Sequence, residues 1–516
     1  MDKQLMCGVD IGTTSTKAVL FTESGKVVAS ANKGYPLFTP TPAVAEQDPE
    51  QIFRAVVETL REALQQSGAR PEDVLFVSFS SAMHSIIAIN DEGKPLSRCI
   101  TWADNRSAAW SESLKREEVG HQIYMRTGTP IHPMSPLPKL MWLRHDHGEL
   151  FRKAKKFISI KEYIFAKLFH DYVIDYSMAS ATGLMNLEKL DWDDEALAVA
   201  GITRSQLSRL VPTTYALKGM DPVYAKETGL AVTTPFIVGA SDGVLSNLGV
   251  GAIKPGVVAA TIGTSGAIRT VVNKPTTDPM GRIFCYALTE RDWVIGGPVN
   301  NGGVLLRWAR DQFAAAEVET ANRLGMDPYD LLMKIAERVP PGSEGLLFHP
   351  YLTGERAPLW NANARGSFFG LTIHHRKEHM IRAVLEGVIF NLYTVLLAME
   401  EHIAKPKKIH ATGGFARSPL WRQIMADIFG LEVVVPESIE SSCLGAAVLG
   451  LFATGRTASL DIAIDMVGST HRHGPIKQNT AIYQQLLPVF IRISRKLAEE
   501  YEAIAEFQRK WIDGVQ

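Results

Sequence analysis

The sequence predicts an α/β protein built from two related lobes. Residues 11–14 read Ile-Gly-Thr-Thr, and residues 262–265, which lie 251 positions later, read Ile-Gly-Thr-Ser. Each copy lies between two apolar runs, which is the pattern of a β-hairpin. Because one copy opens each half of a 516-residue chain, the repeat indicates duplication. We place the boundary after residue 252, which gives domains 1–252 and 253–516.

Composition excludes several classes of protein. The chain is 46% hydrophobic and 21% charged, which argues against disordered and collagen-like sequences. Lys and Arg total 54 against 55 for Asp and Glu, so the overall field is too weak to hold nucleic acid or an anionic membrane. The four cysteines are far apart, as expected of buried thiols in a reducing compartment. The N-terminal run is no signal peptide, and the longest apolar helical stretch, 388–399, is too short to cross a bilayer, so we expect a cytoplasmic location.

Periodicity and turn residues predict the remaining elements. In the first half these are a helix from Asp48 to Gly68, strands at 74–79 and 86–89, and helices with loops over 105–220. In the second half they are a long helix at 377–402, a strand at 409–411, a glycine turn at 413–414, a helix opened by Ser418 and a C-terminal helix at 481–511. A strand followed by a glycine turn and a helix is a ligand-presenting arrangement.

The first Gly-Thr turn has the groups needed to bind phosphate. The chain contains neither GxxxxGK[ST] nor GxGxxG, so a phosphate would be held in another way. Gly12 lets the backbone approach a ligand, Thr13, Thr14 and Ser15 offer hydroxyl donors, and Lys17 adds a positive charge.

The second copy offers the same groups in Gly263, Thr264 and Ser265. Two such loops would hold a nucleoside triphosphate from both sides. Taken alone, each loop is more often an ordinary hairpin turn; the pairing of the two favours the phosphate interpretation.

Two aspartates at strand ends are candidates for chemistry. Asp10 precedes the first loop, and a carboxylate beside phosphate is repulsive unless a cation such as Mg²⁺ lies between them. Asp242 follows the apolar strand 238–241, where it could take the proton of a substrate hydroxyl as a phosphoryl group arrives. The alternative for Asp242 is a turn or a helix N-cap.

Four further residues suit a small polyhydroxylated ligand. His84 follows one predicted strand, and Trp102, Asp104 and Arg106 follow another short apolar stretch. Together they supply donors, acceptors and a flat apolar wall. The alternative is a structural histidine and a surface Asp-Arg pair.

Six ordered segments resemble the FGGY carbohydrate kinases, a family of the actin, hexokinase and chaperone ATPase superfamily. The segments are 9–17 and 261–266, which are similar to the two phosphate loops of the family; 134–143 and 366–386, which are similar to its two signatures; and 354–358 and 411–414. The resemblance implies two ribonuclease-H-like (actin/hexokinase-type ATPase) lobes, with ATP, Mg²⁺ and sugar in the cleft between them.

The resemblance also implies a role for each candidate residue. Asp242 would be the catalytic base and Asp10 the carboxylate associated with magnesium. The residues implied to contact phosphates are Thr13, Thr14, Lys17 and Thr264; those bordering the nucleoside are Gly303, Gly414 and Ser418; those reading the sugar are His84, Trp102, Asp104 and Arg106.

Within the family, segments 82–85 and 101–106 most resemble the members that phosphorylate gluconate. This implies D-gluconate, a sugar acid, as substrate and 6-phospho-D-gluconate as product, with Arg106, His84 or Lys139 neutralising the substrate carboxylate. Three alternatives stay open: a kinase for xylulose or another polyol, an ATP-binding switch or filament protein of the actin or chaperone type, and a pseudokinase. Relatives in the family are often dimers, so analogy suggests a homodimer.

Overall fold

Two large β-sheets organise the chain, as the repeated Gly-Thr turn predicts. In the computed structural model, which describes residues 4–437 and 440–513, the strands are β1 (Leu5–Ile11), β2 (Ser15–Thr22), β3 (Val27–Gly34), β4 (Glu46–Gln47), β5 (Val74–Ser81), β6 (Ile87–Ile89), β7 (Cys99–Ile100), β8 (Lys156–Ile158), β9 (Val173–Asp175), β10 (Met185–Asn186), β11 (Asp191–Trp192), β12 (Arg209–Val211), β13 (Ala216–Leu217), β14 (Phe236–Ser241), β15 (Val257–Ile262), β16 (Gly266–Val272), β17 (Phe284–Ala287), β18 (Trp293–Val299), β19 (Leu347–His349), β20 (Ser367–Phe369), β21 (Lys408–Thr412), β22 (Glu432–Pro436) and β23 (Ser469–His473).

Helices connect and cover these strands. They are α1 (Pro49–Ser67), α2 (Ala108–Arg116), α3 (Glu118–Thr127), α4 (Pro136–Asp146), α5 (Gly148–Lys153), α6 (Ile160–Phe169), α7 (Tyr176–Ser180), α8 (Asp194–Ala200), α9 (Pro222–Thr228), α10 (Asp242–Gly249), α11 (Val304–Phe313), α12 (Ala315–Leu324), α13 (Pro328–Glu337), α14 (Lys377–Glu400), α15 (Pro419–Phe429), α16 (Ser441–Ala453), α17 (Ile462–Met466), α18 (Lys477–Lys496) and α19 (Ala498–Asp513).

The first sheet has the strand order β13-β14-β5-β1-β2-β3. β1, β2 and β3 form an antiparallel meander, which confirms the predicted first hairpin, whereas β5 runs parallel to both β1 and β14. The carboxyl ends of β1, β5 and β14 therefore lie at the same edge of the sheet.

Side-chain alternation along β1 separates two cores. Leu5, Cys7 and Val9 pack in a cluster with the apolar face of α1, whereas Met6 packs in a second cluster with residues of α10 and α16. The predicted helix boundaries of α1 are confirmed: the Asp48 side chain accepts the first N–H groups of the helix, and Gly68 ends it in the left-handed conformation.

Helices α10 and α16 pack closely because glycines lie at their contact. A Cβ added to Gly249 of α10 would lie 1.8 Å from the Ser441 carbonyl oxygen, and one added to Gly445 of α16 would lie 2.0 Å from that of Leu245. Helix α16 also packs on β1 and β5, so a segment from late in the chain completes the first core.

The second sheet repeats the arrangement of the first. Its order is β17-β18-β16-β15-β21-β22-β23, with β15 and β16 antiparallel and β21 parallel to both β15 and β22. The predicted second hairpin is therefore confirmed, and in both sheets a hairpin is followed by two parallel strands. This agreement supports the duplication that the repeated turn indicates.

Helix α14 is the core helix of the second unit. It begins at the predicted residue, Lys377, and ends at Glu400, two residues before the predicted end. The whole helix is long and apolar enough to cross a membrane, whereas the stretch 388–399 considered from the sequence is too short to do so. Most of its side chains are buried among neighbouring elements, as in the core of a soluble protein.

The prediction of one C-terminal helix is wrong. The structure has two, α18 and α19, which are separated at Leu497. Both helices pack on Tyr351, whose hydroxyl bonds to Ser494 and whose ring contacts Tyr501 edge-on. The helical periodicity of the sequence continues from α18 into α19, so the pattern does not reveal the break between the two helices.

The chain divides into two compact units. The first contains residues 1–253, 271–295 and 440–468, and the second contains the rest. The domain boundary between residues 252 and 253, which we placed from the sequence, stays a prediction. The structure adds that two later segments belong with the first unit, since β17 and α16 pack there.

Candidate active site

The predicted site residues of the first unit lie around one edge of its sheet. Strand β1 ends at Ile11, β5 at Ser81 and β14 at Ser241, and Ser80 is paired with both Asp10 and Ala240. The turns after β1 and β5 carry Thr13 and His84, and Asp242 begins α10 directly after β14. Ligands of open α/β sheets bind at the carboxyl ends of parallel strands, so this edge has the expected location for a site.

Asp10 is a half-buried carboxylate opposite Lys17 in the β1–β2 hairpin. The Ser80 hydroxyl donates to its Oδ1 at 2.7 Å. Burial raises the pKa of Asp10, and the Ser80 bond and the Lys17 charge only partly offset that effect. A carboxylate whose ionised form is disfavoured by burial gains from a nearby cation, so this donor fits a hard divalent ion such as Mg²⁺.

Lys17 pairs with Glu440, which the sequence analysis missed. The Lys17 Nζ lies 3.0 and 2.9 Å from the two carboxylate oxygens. Burial acts to lower the pKa of Lys17, but the bond and charge of Glu440 outweigh it and raise the pKa. Lys17 is thus a fixed positive charge beside Asp10. The only local signal for Glu440 is its place directly before the apolar helix α16.

The carbonyl groups of the first Gly-Thr turn point into the protein. The Tyr35 hydroxyl donates to the Gly12 carbonyl and the Tyr35 N–H to that of Thr14, while Gln47 Nε2 donates to that of Thr13. In a trans peptide the N–H points opposite to the carbonyl. The N–H groups of Thr13 and Thr14 therefore point away from Tyr35 and Gln47, as an anion-binding loop requires.

A direct hydrogen bond joins the predicted sugar residues to the predicted phosphate loop. The Trp102 indole Nε1 donates to the Thr13 hydroxyl at 2.8 Å. The two residues are 89 positions apart in sequence, and the bond brings the wall expected to contact sugar next to the loop expected to contact phosphate. This proximity is what transfer of a phosphoryl group to a sugar requires.

Asp104 and Arg106 form a partly buried pair, so the surface-pair alternative is wrong. Asp104 is 1% exposed and accepts the Ala45 N–H, while Arg106 Nε lies 3.1 and 3.0 Å from its two oxygens. Arg106 also pairs with Glu46 and stacks over the Trp142 ring at 4.5 Å. The guanidinium is therefore held between two carboxylates, of which Glu46 was not found from the sequence.

His84 is held in the left-handed conformation, with φ at 68°. Its Nδ1 lies 2.7 Å from the Ala181 carbonyl, which only accepts, so Nδ1 carries the proton. The fully buried Lys139 donates to the carbonyls of His84 and Met134. Burial lowers the pKa of Lys139 to about 7. Lys139 is thus engaged with the backbone that supports His84.

Asp242 lies at the junction of β14 and α10, where the sequence predicts a strand tip. Its Oδ1 accepts the N–H of Gly243 at 2.7 Å, and the helix N-cap is Ser241. The ladder between β14 and β5 shifts between Ile237 and Ala240, where Gly239 has φ at 70°. The alternative that Asp242 is a helix N-cap is therefore wrong.

The second unit contains a cavity of about 600 Å³. The five residues predicted there for nucleotide binding all line it: Gly263, Thr264, Gly303, Gly414 and Ser418. This volume is within the usual range for small-molecule sites. Arg307, Tyr329 and Lys334 also line the cavity and were not found from the sequence.

Close backbone contacts form one side of this cavity. The Gly303 N–H donates to the Gly263 carbonyl at 2.7 Å, and a Cβ on Gly413, where φ is 93°, would lie 2.4 Å from the Ile262 carbonyl oxygen. Ser418 caps α15 by accepting the Trp421 N–H, as predicted. The glycines thus let three loops meet with little side-chain obstruction.

Two family models match the chain along most of its length. The N-terminal domain of the FGGY family of carbohydrate kinases matches residues 5–249, and the C-terminal domain matches residues 258–454. The chain therefore belongs to the FGGY family of carbohydrate kinases. It is an ATP-using phosphotransferase. Its fold is of the predicted α/β class and has two lobes of the actin/hexokinase type.

Particular relatives extend this assignment. The gluconokinase of Bacillus subtilis (strain 168) is 62% identical over 506 residues, which cover 98% of each chain. Solved structures of gluconate kinase and of ligand-bound xylulose kinase, both from Lactobacillus acidophilus, each have a TM-score of 0.92 at 40% identity, covering 97% of this chain and 99% of theirs. These matches to enzymes over the full length exclude the switch or filament alternative.

Proposed function

We propose that this enzyme transfers the γ-phosphoryl group of ATP to the terminal hydroxyl of D-gluconate, giving 6-phospho-D-gluconate and ADP. The observation that carries the proposal is the 62% identity with a gluconokinase over 98% of both chains. The sheet edge of the first unit supports it, because polyol-binding groups, a phosphate-type loop and Asp242 lie around one edge.

Asp242 is the proposed general base. Its carboxylate takes the proton of the substrate hydroxyl while that oxygen forms a bond to the γ-phosphorus and the bond to the ADP oxygen breaks. The position of Asp242 after β14 supports this role, since a strand end held by the sheet presents the carboxylate at a fixed point. His84, Trp102, Asp104 and Arg106 are proposed to orient the sugar.

The residues proposed to contact ATP include members of each unit. The cavity of the second unit would hold the nucleoside against Gly303, Gly414 and Ser418. The proposed phosphate contacts are Gly12, Thr13, Thr14 and Lys17 of the first unit and Gly263 and Thr264 of the second. Mg²⁺, held near Asp10, would neutralise charge on the phosphates when it is bound with ATP.

Replacing Gly414 with valine tests the nucleoside site. A Cβ added to Gly414 would meet no heavy atom within 4 Å, so the added side chain would occupy cavity space rather than disturb the fold. We expect the KM for ATP to rise about 10- to 100-fold, the equivalent of a steric cost of about 1–3 kcal/mol, with little change in the KM for gluconate.

The control for this variant is Gly474→Val. Gly474 is exposed, and its added Cβ also meets nothing within 4 Å, but it lies outside the cavity. Steady-state kinetics of both variants give the comparison. An unchanged KM for ATP in Gly414→Val would show that the nucleoside binds elsewhere.

The substrate carboxylate needs a cationic partner, which we propose to be Arg106, His84 or Lys139. Lys139 is fully buried and bonded to two carbonyls, whereas Arg106 faces Asp104 and Glu46. Arg106 is the more exposed of the two, with 22% of its side chain accessible. The accessible part of Arg106 supports it as the first of the three to test.

A xylulose kinase is the second candidate, because the ligand-bound xylulose kinase of L. acidophilus is as similar to this chain as the gluconate kinase structure. Gluconate-dependent ADP release, with 6-phosphogluconate identified as the product, tests the first candidate, whereas transfer to xylulose alone would support the second. We also propose a cytoplasmic location, from the sequence, and a homodimer, by analogy with the family.

A further inference from the structure

We propose that a buried ion pair, Lys161 with Asp175, positions the strand end that carries Asp242. The inference rests on the proposed function, because it gives Lys161 a role in catalysis through the proposed base. Lys161 and Asp175 were not singled out by the sequence analysis. Neither residue is proposed to contact the sugar or the nucleotide. Lys161 would therefore act through Asp242, as a positioning residue.

The pair is fully enclosed. Lys161 lies at the start of α6 with its side chain 2% exposed, and Asp175 ends β9 with its side chain 0% exposed. The Lys161 Nζ lies 2.6 Å from Asp175 Oδ2 and donates to the Ala240 carbonyl at 3.2 Å. Ala240 is two residues before Asp242, so the ammonium holds the backbone that leads into the proposed base.

The next residue of the strand is held from the same side. Asp175 caps α7 by accepting the Met178 N–H at 2.9 Å, which places Ser177 in the first turn of that helix. The Ser241 N–H donates to the Ser177 hydroxyl at 3.2 Å, and the two hydroxyls are 3.1 Å apart. Both residues that precede Asp242 are therefore fixed by groups gathered around Asp175.

The strand needs such support because its regular ladder is interrupted. Pairing between β14 and β5 shifts between Ile237 and Ala240, and Gly239 is in the left-handed region. A β-bulge of this kind redirects the chain at the end of a strand. The Lys161 ammonium supplies a donor to the Ala240 carbonyl at this irregular point.

Stability alone explains the pair poorly. Two charges buried together recover little more than their desolvation cost, and apolar side chains of similar volume often serve stability as well or better. The negative charges of Asp175, Glu162 and Asp242 all favour the protonated form of Lys161, against the effect of burial. An ion pair that is costly to bury and bonds to the backbone two residues before the proposed base points to a role in the reaction.

The test uses the double variant Lys161→Met/Asp175→Asn. It removes both charges together, because Lys161→Met alone would leave Asp175 buried and unpaired. Asparagine keeps an oxygen that accepts the Met178 N–H. We expect folded protein whose kcat for gluconate is lowered about 10- to 100-fold, the usual effect of a misplaced catalytic group, with the KM for ATP unchanged.

Lys167→Met is the matched control. Lys167 lies on the same helix but pairs with Glu50 near the surface and makes no bond to β14. Its kcat should equal that of the wild type. A double variant that is folded and keeps wild-type kcat would overturn the proposal.

A double-mutant cycle separates positioning from a general structural effect. If Lys161 acts through Asp242, adding Lys161→Met/Asp175→Asn to Asp242→Asn should cause no further loss of kcat. A further loss of the full 10- to 100-fold would mean that the pair acts independently of Asp242, and the proposal would fail. Wild-type kcat in Asp242→Asn itself would remove the proposed base and this inference with it.

Ser177→Ala provides a second route if the double variant does not fold. It removes only the bonds to Ser241 and leaves the ion pair in place. The same criterion applies: kcat should fall in the wild-type background and stay unchanged in the Asp242→Asn background. Equal losses in both backgrounds would contradict the proposal.

Discussion

Replacement of Asp242 by asparagine is expected to lower kcat about 10²- to 10⁴-fold, the usual worth of general acid–base catalysis. Asparagine fills the same space at the junction of β14 and α10 but cannot accept the proton of the substrate hydroxyl. Because Asp242 is not among the residues that line the cavity proposed for the nucleoside, the KM for ATP should change little. Steady-state kinetics with varied ATP and varied sugar give both constants.

Asp91→Asn is the control for this variant, since Asp91 is an exposed turn residue between β6 and β7. It should retain wild-type kcat. Near-normal turnover in Asp242→Asn would remove the role of general base from this residue, and a large rise in the KM for ATP would show that Asp242 contributes to nucleotide binding instead.

Replacement of Gly239 by alanine is expected to lower the free energy of unfolding by about 2–5 kcal/mol. Gly239 has φ at 70°, and an added Cβ would lie 1.7 Å from the Phe79 carbonyl oxygen on β5. That contact is with backbone of the neighbouring strand, so it cannot be relieved by rotating a side chain. Urea unfolding followed by circular dichroism measures the change.

Gly219→Ala isolates the steric part of this cost. Gly219 has a similar φ of 77°, but its added Cβ would meet nothing within 4 Å. It should therefore lose only about 1–2 kcal/mol, the cost of the left-handed conformation for a residue with a side chain. Equal losses at the two glycines would show that the approach to Phe79 is unimportant.

Local sequence patterns predict the elements of this fold well. The Asp48 cap and Gly68 terminus define α1 because both ends of a helix require particular residues. The two Gly-Thr turns predict both hairpins, and the small residues before Asp242 predict its strand tip. These features depend on residues close together in the chain, so periodicity and turn chemistry report them.

Partners that come from distant segments are not predictable in this way. Glu440 bonds to Lys17 across 423 residues, and Lys161 reaches Ala240 across 79. Neither pairing leaves a periodic signal, because each is set by how helices and strands pack. The packing of α16 in the first unit also depends on distant segments, and it brings Glu440 to Lys17 of the first hairpin.

Under the proposed function, the choice of sugar would also depend on such tertiary contacts. Arg106 lies between Glu46 and Asp104, and the Trp102 indole donates to Thr13, so these candidate sugar residues are held by partners that no local motif specifies. Resemblance to family members suggested gluconate where the residues alone indicated only a polyhydroxylated ligand.

A coupled ADP-release assay tests the central claim most directly. Purified enzyme with ATP and Mg²⁺ would be compared on gluconate, xylulose, ribulose, fuculose, glycerol and no sugar. We expect strong turnover with gluconate and little with the neutral sugars. Strong turnover with xylulose and none with gluconate would contradict the substrate assignment, and ADP release that is independent of sugar would contradict the proposed transfer reaction.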